Sequence, residues 1–143
     1  MTDNKDSISG RNEMMRIQDR ESNEAWIAIR RCESMIEDLI HTVLADEYGS
    51  NYWSKIPSTI QEDVSNRISA RLKKNPGRKS DYYAGSKTKL KLCTFNEYKC
   101  IITYKRFWGT FIPRLGKDKQ RVAHHLDSVR EFRNDISHNN DVP

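Results

Sequence analysis

Within six residues, Arg133-Asn134-Asp135-Ile136-Ser137-His138 holds a permanent cation, an amide and a side chain that exchanges protons near neutral pH. Val122, Leu126 and Val129 recur at helical spacing before it, and Arg133 takes the next place in that apolar row. A charge there is costly unless it meets a partner. The planar guanidinium fits a phosphate bidentately, and His138 can serve as acid or base, so the pair reads as phosphate handling coupled to proton transfer. Asn134 adds an amide that can bind backbone or a sugar hydroxyl. On an unbroken helix, residues five apart stand about 140° apart. Arg133 and His138 therefore converge only if the helix unwinds near Asp135–Ser137, or if a second copy completes the site. The alternative is structural: Arg133 pairs with a first-helix carboxylate such as Glu37, and His138 belongs to a frayed end.

The surrounding pattern is helical throughout. Residues 1–11 read as a flexible tail, and 12–143 as one helical domain. A long first helix is expected from Asn12 to Tyr48, with a stripe of Ala25, Ile29, Cys32, Ile36, Leu39 and Val43, widened by Trp26, Met35 and Ile40. Gly49 is a natural stop. A second helix starts near Pro57, with Ser58 to Gln61 fitting a capping box, and ends at Asn75-Pro76-Gly77. Thr94 to Glu97 is a capping box for a third helix, whose stripe is Tyr98, Ile101, Ile102, Lys105 and Trp108 and which closes at Phe111, Pro113 and Gly116. Asp118 can cap the fourth. No stretch alternates with period two for long enough to be a strand. The expected architecture is an all-α, four-helix bundle with a long first helix.

Charge divides the chain. The net charge of +5 combines −5 over residues 1–70 with +10 over 71–143. The basic half suits a polyanion and contains the candidate site. Lys73, Lys74, Arg78, Lys79, Lys87, Lys89 and Lys91 lie in an expected loop with Tyr82 and Tyr83, an interleaving that suits single-stranded RNA. Solvated lysines around tyrosines packed on the core are the alternative. Arg114, Lys117, Lys119 and Arg121 extend the basic surface toward the fourth helix. Cys32, Cys93 and Cys100 are neither a disulfide framework nor a metal set, which points to a reducing cytoplasm. His124 and His125 lack further ligands, His125 reading as partly packed and His124 as exposed. No apolar run is long enough to span a membrane, and no metal or other cofactor is expected.

Arg133-Asn134-x-x-x-His138 at the end of a helix, in a small all-α domain, resembles the HEPN superfamily (higher eukaryotes and prokaryotes nucleotide-binding). The likeness covers the helical layout from about residue 12, and its specific part is the six residues. It implies a metal-independent endoribonuclease that works as a homodimer, with two motifs meeting at one composite site. His138 would be the acid/base on the ribose 2′-hydroxyl and the leaving oxygen. Arg133 would clamp the phosphate, and Asn134 would orient. Such domains belong to toxin–antitoxin, abortive-infection and anti-phage systems, so an antitoxin or sensor protein is a possible partner. Some relatives bind without cutting, which leaves a non-catalytic nucleic-acid- or partner-binding module as the alternative. A regulatory partner that uses its acidic N-terminal half to neutralise a basic toxin is a third.

Overall fold

The computed structural model describes the backbone of residues 2–78 and 80–141, and side chains from 10 to 137 except 18 and 79. All regular structure among them is helical. Six α-helices follow in order: α1 (Thr2–Tyr48), α2 (Ser58–Lys74), α3 (Ser86–Leu90), α4 (Phe95–Thr103), α5 (Lys105–Leu115) and α6 (Lys119–Asp141). Two 3₁₀ turns, Tyr52–Lys55 and Ser80–Tyr83, lie between them. No described helix is long and apolar enough to cross a membrane.

The expected four helices thus become six, and the reasons are local. The third breaks at Tyr104, whose backbone is extended (φ −59°, ψ 131°). The Tyr104 carbonyl accepts from both Phe107 and Trp108, restarting the chain as α5. The break lets Ile101 and Ile102 of α4 and Phe107 and Phe111 of α5 reach one core, all of them buried. Lys105 is exposed and Trp108 only half-buried, so the single stripe expected through them does not form. The segment read as a basic loop carries the second 3₁₀ turn and α3, pinned by Ser86, whose hydroxyl donates to the Ser50 carbonyl at 2.7 Å.

α1 is the spine. Its 47 residues span about 70 Å at 1.5 Å per residue. It begins at Thr2, so the segment read as a tail has helical backbone from there. Ile29, Ile40, Val43 and Leu44 are its buried residues, while Met35, placed in the widened stripe, is 71% exposed. Gly49 ends α1 at φ +85°, as its position implied. α4, α5 and α6 pack along this spine, and α4 also packs against α6.

The start signals had mixed outcomes. The Thr94–Glu97 capping box forms in both directions, at 3.2 and 2.7 Å. Arg67 of α2 forks onto both Glu97 oxygens and donates to the Leu92 carbonyl, so one carboxylate caps α4 and ties it to α2. The Ser58–Gln61 box does not form. Pro57 is the N-cap, and Gln61 Nε2 instead donates to the Ile56 carbonyl at 2.7 Å.

Burial pushes the Cys93 thiol up to about 12, with the Glu97 charge adding and Arg67 opposing. Relative to its ordinary value of 9.0, that leaves about a thousandfold less thiolate at neutral pH. Iodoacetamide on the native protein is expected to label exposed Cys100 and spare Cys93 until the chain unfolds, read by peptide mass spectrometry. Equal labelling of both would contradict this packing.

Candidate active site

The site is built on α6. Asp118 caps its start, accepting the Arg121 N–H at 3.0 Å. Leu126 and Ile136 are buried, Val122 and Val129 half-buried, and these define the face turned to the body. Arg133 falls in the same row between Val129 and Ile136. α4 holds this helix through two polar ties: Lys99 Nζ donates to both Asp127 oxygens at 2.8 and 2.9 Å, and Arg130 Nη1 donates to Asn96 Oδ1 at 3.1 Å. The Lys99 ammonium holds the Asp127 carboxyl below its ordinary range.

Across from Arg133 stands Glu33 of α1. It comes four residues after Ile29 and seven before Ile40, both buried, so α1 sets a carboxylate on its own core-facing side. Arg133 Nε lies 3.0 Å from Glu33 Oε1, with the two side chains 39% and 28% exposed. The contact is an ion pair without hydrogen-bond alignment, and buried Oε1 has no hydrogen-bond donor. Nη1 and Nη2 of Arg133 have no partner among the described residues. The guanidinium thus meets Glu33 at its inner edge, and no described residue hydrogen-bonds its outer fork.

The partner is Glu33 and not Glu37, one turn further along α1. Burial raises the Glu37 carboxyl above its ordinary value; Asp38 and Glu33 add to this, and Lys91 and Lys87 oppose it. The charged form is therefore disfavoured on folding. Its cost is present above the folded pKa and vanishes below the ordinary 4.5. Glu37→Gln is expected to raise the Tm at pH 7 and to leave it unchanged well below pH 4.5, in thermal melts at both. A lower Tm at pH 7 would mean that Lys91 and Lys87 depend on that charge.

α6 does not unwind between Asp135 and Ser137. It stays helical through Asp141, because buried Ile136 anchors that turn to the body. The unwinding expected there does not occur, and the backbone positions of Arg133 and His138 stay about 140° apart. The His138 side chain lies outside the described residues. Asn134 is exposed.

The basic residues spread over several surfaces. Lys73, Lys74, Arg78, Lys87, Lys91, Arg114, Lys117 and Arg121 are exposed; Lys89 and Lys119 are half-buried, and Lys79 lies outside the described residues. Lys87 and Lys91 come near the site, as their effect on Glu37 shows. Arg114 borders a groove with Cys32, Met35, Ile36 and Leu39 on a different side of α1. In the 3₁₀ turn Tyr83 is buried, while Tyr82 is 58% exposed with the Arg78 guanidinium 4.6 Å from its ring centroid. One tyrosine packs back on the core, and the other stands out into solvent. His124 and His125 are both exposed, which corrects the half-packed reading of His125.

A comparison with protein-family models, with curated proteins and with solved structures finds no match for this chain.

Glu33 lies outside the motif, on α1. A signal for it is present in the sequence: each of two apolar rows carries one charge, of opposite sign. Two such rows that pack together bring those charges into contact.

Proposed function

We propose that the chain is a metal-independent endoribonuclease of HEPN type that cuts single-stranded RNA as a homodimer, within a cytoplasmic toxin or anti-phage system. The observation that carries this reading is Arg133: an arginine in a core-facing row, 3.0 Å from Glu33 at Nε, with no described residue hydrogen-bonding Nη1 or Nη2. The resemblance of Arg133-Asn134-x-x-x-His138 to the HEPN signature supports it, and so does the charge of +10 over residues 71–143.

In this reaction the ribose 2′-oxygen attacks the adjacent phosphorus as a base, His138, takes its proton. Negative charge builds on the non-bridging oxygens, where the Arg133 fork stabilises it. The bond to the 5′-oxygen breaks, and that oxygen collects a proton from a general acid. The products are a 2′,3′-cyclic phosphate and a 5′-hydroxyl. In this scheme a second copy completes the site, which fits an α6 that stays wound between Arg133 and His138. Asn134, exposed beside Arg133, orients the sugar.

The test is incubation of purified protein with an unstructured RNA in excess EDTA, with the ends of the products identified. Cleavage leaving 2′,3′-cyclic phosphate supports the reading; intact RNA sinks it. A second reading, a non-catalytic module that binds nucleic acid or a partner protein, is favoured by the Glu33 pair, which gives Arg133 a structural task between α1 and α6. RNA binding without cleavage is its signature.

A further inference from the structure

We infer that Glu33 is the positioning residue of the RNA site, holding Arg133 by Nε so that Nη1 and Nη2 face the phosphate. This rests on the reading of Arg133 as a phosphate clamp.

Three observations lead to it. α1 places Glu33 on its buried side, in register with Ile29 and Ile40, where a carboxylate has no reason to be unless it meets a cation. Its Oε1 approaches the inner nitrogen of the guanidinium, and no described residue hydrogen-bonds the outer pair. A brace built only for stability would use the two-point fork, which is the stronger geometry. The same oxygen is buried and lacks an aligned donor, so the contact does not maximise the pairing of Glu33 either. What the arrangement does achieve is direction. The Arg133 stem has several rotatable bonds, and a fixed charge at Nε selects the orientations in which the fork points away from α1. An oriented donor pair binds phosphate without having to be ordered on arrival.

Glu33 touches no substrate in this scheme and acts through Arg133. The probe is a single-stranded RNA carrying 2′-O-methyl on every ribose, which lacks the attacking hydroxyl. Binding is followed by fluorescence anisotropy over a range of salt. Arg133→Ala is expected to weaken binding about tenfold and to reduce the slope of log K against log salt by about 0.7, one phosphate contact on a single strand. Glu33→Ala is expected to match both changes, and the double variant to be no weaker than either, because the two act as one unit. Glu33→Gln keeps an oxygen for Nε and is expected to bind within about twofold of the unsubstituted protein. A structural brace alone would lower the Tm of Glu33→Ala and leave the salt slope unchanged.

Glu33→Ala binding normally while Arg133→Ala is weakened would overturn the inference, since the fork would need no holder. Arg133→Ala binding normally, or an unsubstituted protein that ignores the RNA, would overturn it as well. Cleavage of ordinary RNA is scored separately. Arg133- and Glu33-dependent binding without cleavage sinks the nuclease reading and leaves the positioning role standing.

Discussion

His138→Ala and Arg133→Ala are each expected to lower RNA cleavage by about 10² to 10⁴-fold, the range for losing a proton-transfer group or a charge stabiliser. The informative result comes from mixing them. α6 is unbroken from Lys119 to Asp141, so the backbone positions of Arg133 and His138 stand about 140° apart around it. A working site then takes its arginine from one protomer and its histidine from the partner. When the two inactive variants are mixed and exchange subunits, half of the dimers are heterodimers. In each of these, one of the two arginine–histidine pairs in the composite site is native while the other lacks both residues. Activity is therefore expected to return to about a quarter of the unsubstituted level, given two-fold symmetry. No recovery after verified exchange would mean that each site is complete within one chain. The contact between Glu33 and Arg133 makes Arg133→Ala the more disruptive of the two for folding, because it leaves a half-buried carboxylate without its cation. Recovery on mixing guards against that, since an unfolded protomer restores nothing.

The largest effect on stability is expected at Phe107. It is fully buried where α5 starts, with Tyr48 and Tyr104 ring centroids 5.5 and 5.2 Å away. Those contacts join the C-terminal end of α1, the break at Tyr104 and the α5 helix. Phe107→Ala is expected to cost about 3–5 kcal/mol through lost burial and the cavity left behind. For a domain of this size that lowers the Tm by roughly 10 °C, measurable by thermal melting followed by circular dichroism. Phe107→Leu keeps most of the volume and is expected to cost less than half as much. A loss under about 1 kcal/mol for the alanine variant would mean that the cavity collapses, and that α5 is not held through this ring.

The helical class was legible because its signals are local. Steps of three and four in α1, the Thr94–Glu97 box, the Asp118 cap and Gly49 each act within one or two turns, where backbone hydrogen bonding and side-chain spacing settle the outcome. The break at Tyr104 was not legible. No glycine or proline marks it, and the chain bends there because Ile101, Ile102, Phe107 and Phe111 fit one core only when two short helices replace one long one. The failed Ser58–Gln61 box has a similar cause: Gln61 finds the Ile56 carbonyl, presented by a turn that the tertiary fold creates.

The site divides along the same line. By itself the sequence determined that an arginine stands in an apolar row of the last helix, that a histidine follows five residues later, and that the surrounding half is basic. Periodicity and charge are enough for that. Only the tertiary structure decided that Glu33, not Glu37, meets Arg133, that the contact is made at Nε, and that α6 stays wound past Ser137. Those outcomes depend on how far α6 slides and turns against α1. That register is set by residues buried on both helices, Ile29 and Ile40 on α1 and Leu126 and Ile136 on α6, and no short stretch of chain contains it.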